Sequence, residues 1–130
     1  MDSQELYCKI YLNTNRDRAW LLQELADQCR GVLDGRTVNS SELVVDVSRN
    51  EDYDPTRAQD PDGFVYFRYY LDVLPADGIE RTPYIEAIRR LLLFFLQMDI
   101  SAVASCDFES ELPSPSGEPP HGSGGAQRIP

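Results

Sequence analysis

Residues 63–73, GFVYFRYYLDV, are the most aromatic part of the chain and limit what it can fold into. They divide into two interleaved sets at the two-residue period of a β-strand. Val65, Phe67, Tyr69, Leu71 and Val73 form one set, and Phe64, Tyr66, Arg68, Tyr70 and Asp72 the other. The first set suits a core. The second mixes aromatic rings with charge, which a plain solvent face does not need.

The rest of the chain supplies partners for that strand. Residues 6–12 alternate, with Leu6, Cys8, Ile10 and Leu12 against Tyr7, Lys9 and Tyr11, and predict a half-buried strand. Asn13, Thr14 and Asn15 offer turn and N-cap chemistry before a helix over 16–30. Ala19, Leu22, Leu25, Ala26 and Cys29 form its apolar stripe, beside Trp20 and Leu21, and Gly31 is its C-cap candidate. Residues 31–41 read as an irregular connection, and 42–48 as a strand with Leu43, Val45 and Val47 inward. Residues 49–62, RNEDYDPTRAQDPD, read as a loop because of Pro55, Pro61 and their acidic and amide neighbours. Thr82 and Pro83 open a second helix over 84–97, with Ile85, Ile88, Leu92 and Phe95 in its stripe. Residues 100–108 predict a last strand.

The resulting order is β-α-β-β-α-β. It predicts an α+β, ferredoxin-like sandwich: a four-stranded antiparallel sheet with two helices on one face. The first and third of its strands would be neighbours, and the other face would be open. Tyr7, Lys9 and Tyr11 would then lie beside Phe64, Tyr66, Arg68, Tyr70 and Asp72. Residues 1–112 make one domain, and 113–130, PSPSGEPPHGSGGAQRIP, have the Pro/Gly/Ser composition of a disordered tail.

The formal net charge is -10, and the tail's Glu118 and Arg128 cancel, so the whole charge sits on residues 1–112. Such a field repels nucleic acid and anionic membrane and attracts basic partners. Cys8, Cys29 and Cys106 are odd in number and far apart in sequence, the pattern of unbridged thiols in a reducing compartment rather than of a disulfide framework or zinc site. MDSQELYCKIYL lacks the form of a signal peptide, and the apolar run 91–96 is too short to span a bilayer, so a cytoplasmic protein is the expectation.

Two acidic groups are candidates for chemistry. Asp52, Asp54, Asp60 and Asp62 carry oxygen donors, but their spacing lacks the glycine of a calcium loop, and they read as a solvated, steering acidic loop. Asp107, Glu109 and Glu111 alternate at the last strand's end with no histidine near, since His121 lies in the tail. Nucleophile elbows, phosphate loops and dinucleotide glycines are missing from the sequence. No catalytic residue, metal ligand or cofactor is assigned. Residues 62–69, DGFVYFRY, resemble the third-strand signature of the RNA-recognition motif, with Tyr11, Phe64 and Tyr66 as the implied stacking residues. Asp62 stands where that signature has a basic residue, and the net charge opposes RNA.

Over residues 5–113, the segments NEDYDP, GFVYFRYYLDV, YIEAIRRLLLFFLQ and AVASCDFESELP resemble a family of small uncharacterised bacterial proteins. The resemblance implies a bacterial cytoplasmic protein and carries over no catalytic residue. The reading favoured by composition and pattern is a non-enzymatic protein–protein interaction module, of immunity or inhibitor type. Tyr7, Tyr11, Phe64, Tyr66, Arg68 and Tyr70 would bind a basic protein or a second copy of the chain. The alternative is a small enzyme or ligand-binding domain using the open face and the acidic strand end. Deleting residues 114–130 is expected to leave the melting temperature within about 2 °C, since loose termini contribute little; a larger fall in a thermal melt would show that the tail docks.

Overall fold

The computed structural model describes residues 6–113; of the predicted tail, 113–130, all but Pro113 lies outside them. Strand β1 (Cys8–Asn13) precedes helix α1 (Arg18–Cys29). Strands β2 (Val32–Asp34), β3 (Thr37–Asn39) and β4 (Leu43–Arg49) follow. Two 3-10 turns, Arg57–Gln59 and Gly63–Tyr66, lead to β5 (Tyr69–Pro75), α2 (Arg81–Gln97), β6 (Ser101–Cys106) and a last 3-10 turn, Glu109–Glu111. The sheet order is β2-β3-β4-β5-β1-β6, and every neighbouring pair is antiparallel.

The α+β class agrees with the sequence reading, but the four-stranded ferredoxin-like sheet does not form: the sheet has six strands. The two additional strands are the segment expected to be irregular. Asp34 pairs with Thr37, leaving Gly35 and Arg36 as a two-residue hairpin loop. Gly35 has φ 64°, a conformation that costs a glycine little and suits the first position of such a loop. Gly35 at the first loop position, between the short runs Val32-Leu33 and Thr37-Val38, is the signal that would have found this hairpin.

The second correction concerns the aromatic stretch. It is not one strand from 63 to 73, because Gly63–Tyr66 is a 3-10 turn and β5 begins at Tyr69. Gly63 is buried, and a Cβ there would stand 2.0 Å from the Arg57 carbonyl oxygen, so only glycine lets the two turns pack together. The Asn50 side chain donates to the Val65 and Phe67 carbonyls, both at 2.8 Å, and its backbone N–H donates to the Arg68 carbonyl. These bonds hold the backbone out of the ladder. Alternation therefore breaks: Val65, expected inside, is exposed, while Tyr69, Leu71 and Val73 are buried as their period requires.

Both helices cover the face carrying Cys8, Ile10, Leu12, Val45, Val47, Tyr69, Leu71 and Val73. α1 starts two residues later than expected, with Asp17 rather than Asn13, Thr14 or Asn15 as N-cap; its carboxylate accepts from Trp20 N at 2.9 Å. Arg30, with φ 56°, is the left-handed C-cap in place of Gly31. Leu21 takes the buried position that the stripe assigned to Ala19. On α2, Tyr84 is wholly buried, and its hydroxyl donates to the Leu6 carbonyl at 2.5 Å and lies 3.2 Å from that of Val73. Burial raises its pKa above the ordinary tyrosine value.

Leu71→Ala is expected to cost roughly 2–5 kcal/mol in denaturant unfolding, as for other large core truncations. Val65→Ala is expected to cost under about 0.5 kcal/mol, as for an unpartnered surface change. Comparable losses at the two sites would reject the break in alternation at residues 63–66.

Candidate functional site

The face of the sheet opposite the helices is built by register. Direct cross-strand partners share a face, so Asp34, Thr37, Asp46, Asp72, Lys9 and Ser105 form one row across all six strands. Ser48, Tyr70, Tyr11 and Val103 form the row on one side of it. Val32, Asn39, Val44 and Leu74 form the row on the other, where Val32 and Leu74 are well exposed. A carboxylate row thus lies between an aromatic row and an apolar one.

Asp46 and Asp72 are direct partners, an arrangement of like charges that costs stability unless each is separately satisfied. Each has its own donor. The Thr37 hydroxyl donates to Asp46 Oδ1 at 2.5 Å, and the Tyr7 hydroxyl donates to Asp72 Oδ1. Partial burial first, and then the bond to Asp72, push the Tyr7 pKa above its usual value. Arg36 reaches Ser48 Oγ at 2.8 Å from the hairpin loop.

Lys9 turns to the rings. Its Nζ lies 4.2 Å from the Tyr70 ring centroid and 5.1 Å from that of Tyr11, within cation–π range. Tyr11 also meets Phe64 edge-to-face at 5.3 Å and Tyr70 at 6.4 Å. Phe64 thus reaches Tyr11 from the 3-10 turn rather than along a strand, and folds over one end of the face.

The expected binding residues therefore part company. Tyr11, Phe64 and Tyr70 converge, while Tyr7 stands apart from them, bonded to Asp72. Tyr66 instead pairs with Arg57, whose Nη1 donates to its hydroxyl at 3.2 Å and whose guanidinium lies 5.2 Å from its ring. Arg68 donates to the Asn15 carbonyl at 3.1 Å. Of the positions that resembled the third strand of the RNA-recognition motif, only Tyr69 is on a strand; the implied stacking residues Phe64 and Tyr66 lie on the 3-10 turn. In the acidic loop, Asp52, Asp60 and Asp62 are exposed, whereas the Asp54 carboxylate accepts from Thr56 N and Arg57 N and is committed to its turn. Among the described residues no group of three or more acidic, cysteine or histidine side chains is placed to hold a metal ion.

The acidic strand end is corrected as well. β6 stops at Cys106, and Glu109 and Glu111 lie on a 3-10 turn. Glu109 accepts from Cys106 N at 3.0 Å. Glu111 takes a bidentate pair from Arg81 at 3.0 and 2.5 Å, which holds its carboxyl below the ordinary range. No family model, curated protein or solved structure matches the chain. What the site can do rests on its own geometry. Sequence reasoning missed Val32, Asp34 and Thr37, which join the face only through the unforeseen hairpin. No described helix is long and apolar enough to cross a membrane.

Tyr7→Phe is expected to cost about 1–2 kcal/mol near neutral pH, the range for a bond to a charged acceptor at a half-buried site. The folded-state pKa of Tyr7 is raised, so its contribution is complete below the unfolded tyrosine value of about 10 and is lost as pH rises through the folded value. Urea unfolding of the two proteins at neutral and alkaline pH checks this; a difference that grows above about pH 10 would contradict it.

Proposed function

We propose that the protein is a non-enzymatic interaction module that binds a basic protein on the uncovered sheet face. The observation that carries this reading is the cluster of Tyr11, Tyr70, Phe64 and Lys9 beside the Asp46–Asp72 row, on a face that neither described helix covers. Rigid rings with polar tips are the side chains that most often anchor interfaces. The face itself is of mixed sign, with Lys9 and Arg36 against Asp34, Asp46 and Asp72. Long-range attraction therefore comes from the whole domain at -10 and from the exposed Asp52, Asp60 and Asp62.

A second copy of the chain is the less favoured occupant, because each would bring the same charge of -10 and the same carboxylate row. An immunity or inhibitor role, in which a small acidic protein masks a basic one, fits this picture. Three free thiols fit a cytoplasmic setting. The enzyme alternative is weakened by the commitment of Glu109 and Glu111 to structural bonds.

The test begins with capture of partners on the immobilised full chain, followed by binding kinetics at two salt concentrations. The expected partner is basic. Asp52→Asn with Asp60→Asn and Asp62→Asn should slow association at low salt, while Tyr11→Ala with Tyr70→Ala should mainly speed dissociation. An acidic or uncharged partner, or kinetics indifferent to both sets, would overturn the proposal. So would a dimer in sedimentation that the tyrosine changes dissolve, which would assign the face to self-association.

A further inference from the structure

Cys8 and Cys106, ninety-eight positions apart in the sequence, are direct cross-strand partners on the helix-facing side of the sheet. Cys8 is wholly buried beneath the helices. Cys106 is half-buried and opens into a groove of about 600 Å³ between α2 and β6, lined among others by Leu92, Leu96, Ala104, Asp107 and Glu109. The groove admits a small molecule to Cys106, and Cys8 lies behind it, out of reach of solvent.

The spacing suits a bond. Direct antiparallel partners have Cα atoms about 4.5–5.5 Å apart, inside the 4.4–6.8 Å that disulfides span. Their Cβ atoms stand about 4.5–5.5 Å apart and must approach to roughly 3.5–4.5 Å. β6 is an edge strand held on one side only, so it can make that movement.

We propose that Cys106 and Cys8 are a reversible thiol–disulfide site, in which Cys106 reacts with a low-molecular-weight disulfide in the groove and Cys8 resolves the product. The two thiols are direct cross-strand neighbours. The Cys8 thiol beside it lowers the pKa of Cys106, and Cys106 together with burial raises that of Cys8. Cys106 therefore ionises first, and its thiolate is the attacking species.

The Cys106 thiolate attacks one sulfur of the small disulfide, forming a mixed disulfide and expelling one thiolate into the groove. Cys8 then gives up its proton and attacks the Cys106 sulfur from the buried side, expelling the second thiolate. The protein dithiol is oxidised by two electrons, the small disulfide is reduced to two thiols, and the two protein protons pass to them. Cys29 takes no part. It sits at the end of α1 beside Glu42 and Arg90, and burial pushes its thiol up to about 11.

The test uses the full chain carrying Cys29→Ala, reduced, freed of reductant and exposed to oxidised glutathione. Its mass should fall by two hydrogens, and peptide mapping should join Cys8 to Cys106, with dithiothreitol restoring the thiols. Closure should be at least about tenfold faster in the folded chain than in concentrated urea, because folding holds the two sulfurs together. With Cys8→Ala added, the glutathione mixed disulfide should accumulate on Cys106; with Cys106→Ala instead, Cys8 should gain no adduct. The proposal is overturned if the folded chain keeps both thiols, forms only intermolecular links, or closes no faster than in urea. It is overturned equally if Cys8 is modified when Cys106 is absent. Mapping of the Cys29→Ala chain decides the matter even where Cys8→Ala disturbs folding.

Discussion

β1 is hydrogen-bonded on both sides, to β5 and to β6, and its Cys8, Ile10 and Leu12 are wholly buried. Its other side chains, Lys9 and Tyr11, stand on the uncovered face. A register slip of one residue would bring Lys9 into the core, where an unpaired ammonium is not tolerated. That penalty fixes β1, and β1 fixes its neighbours. Leu71 and Val73 must then face the helices, and Tyr70 and Asp72 must face away. The same register sets Lys9 beside Tyr70 and lays Cys106 against Cys8.

The uncovered face depends on a second layer of constraint. Asp46 and Asp72 would repel each other across β4 and β5, yet Thr37 and Tyr7 each give one carboxylate a hydroxyl donor. Thr37 belongs to the hairpin and Tyr7 to the residues before β1, so opposite parts of the sheet stabilise one acidic row. This arrangement links the fold to the proposed binding role: the carboxylates remain on the surface because local hydroxyls offset their proximity. The segment from Asn50 to Arg68 adds the aromatic end by carrying Phe64 onto Tyr11.

Much of the core was legible in the sequence because it follows from short-range periodicity. The period of two in residues 6–12 marked Cys8, Ile10 and Leu12, and that in 69–73 marked Tyr69, Leu71 and Val73. The stripe on α2 marked Ile85, Ile88, Leu92 and Phe95. The uncovered face was legible in part for the same reason, since Tyr7, Tyr11 and Tyr70 are the out-of-phase members of those strands. Tyr66 and Arg68 were misplaced because alternation was carried through a stretch in which the backbone turns.

The sequence by itself determined most of the core on β1, β4, β5 and α2, through side-chain chemistry and spacing that act over a few neighbours. Tertiary structure alone decided where β5 begins, because the turn at Gly63–Tyr66 depends on contact with the Arg57 carbonyl and on bonds from Asn50. It also decided that Val32–Asp34 and Thr37–Asn39 extend the sheet beyond β4, since short strands gain their stability from the neighbour they pair with. The pairing of Cys8 with Cys106 belongs to the same class. Nothing within either segment brings the two sulfurs together; the antiparallel register of β1 and β6 does.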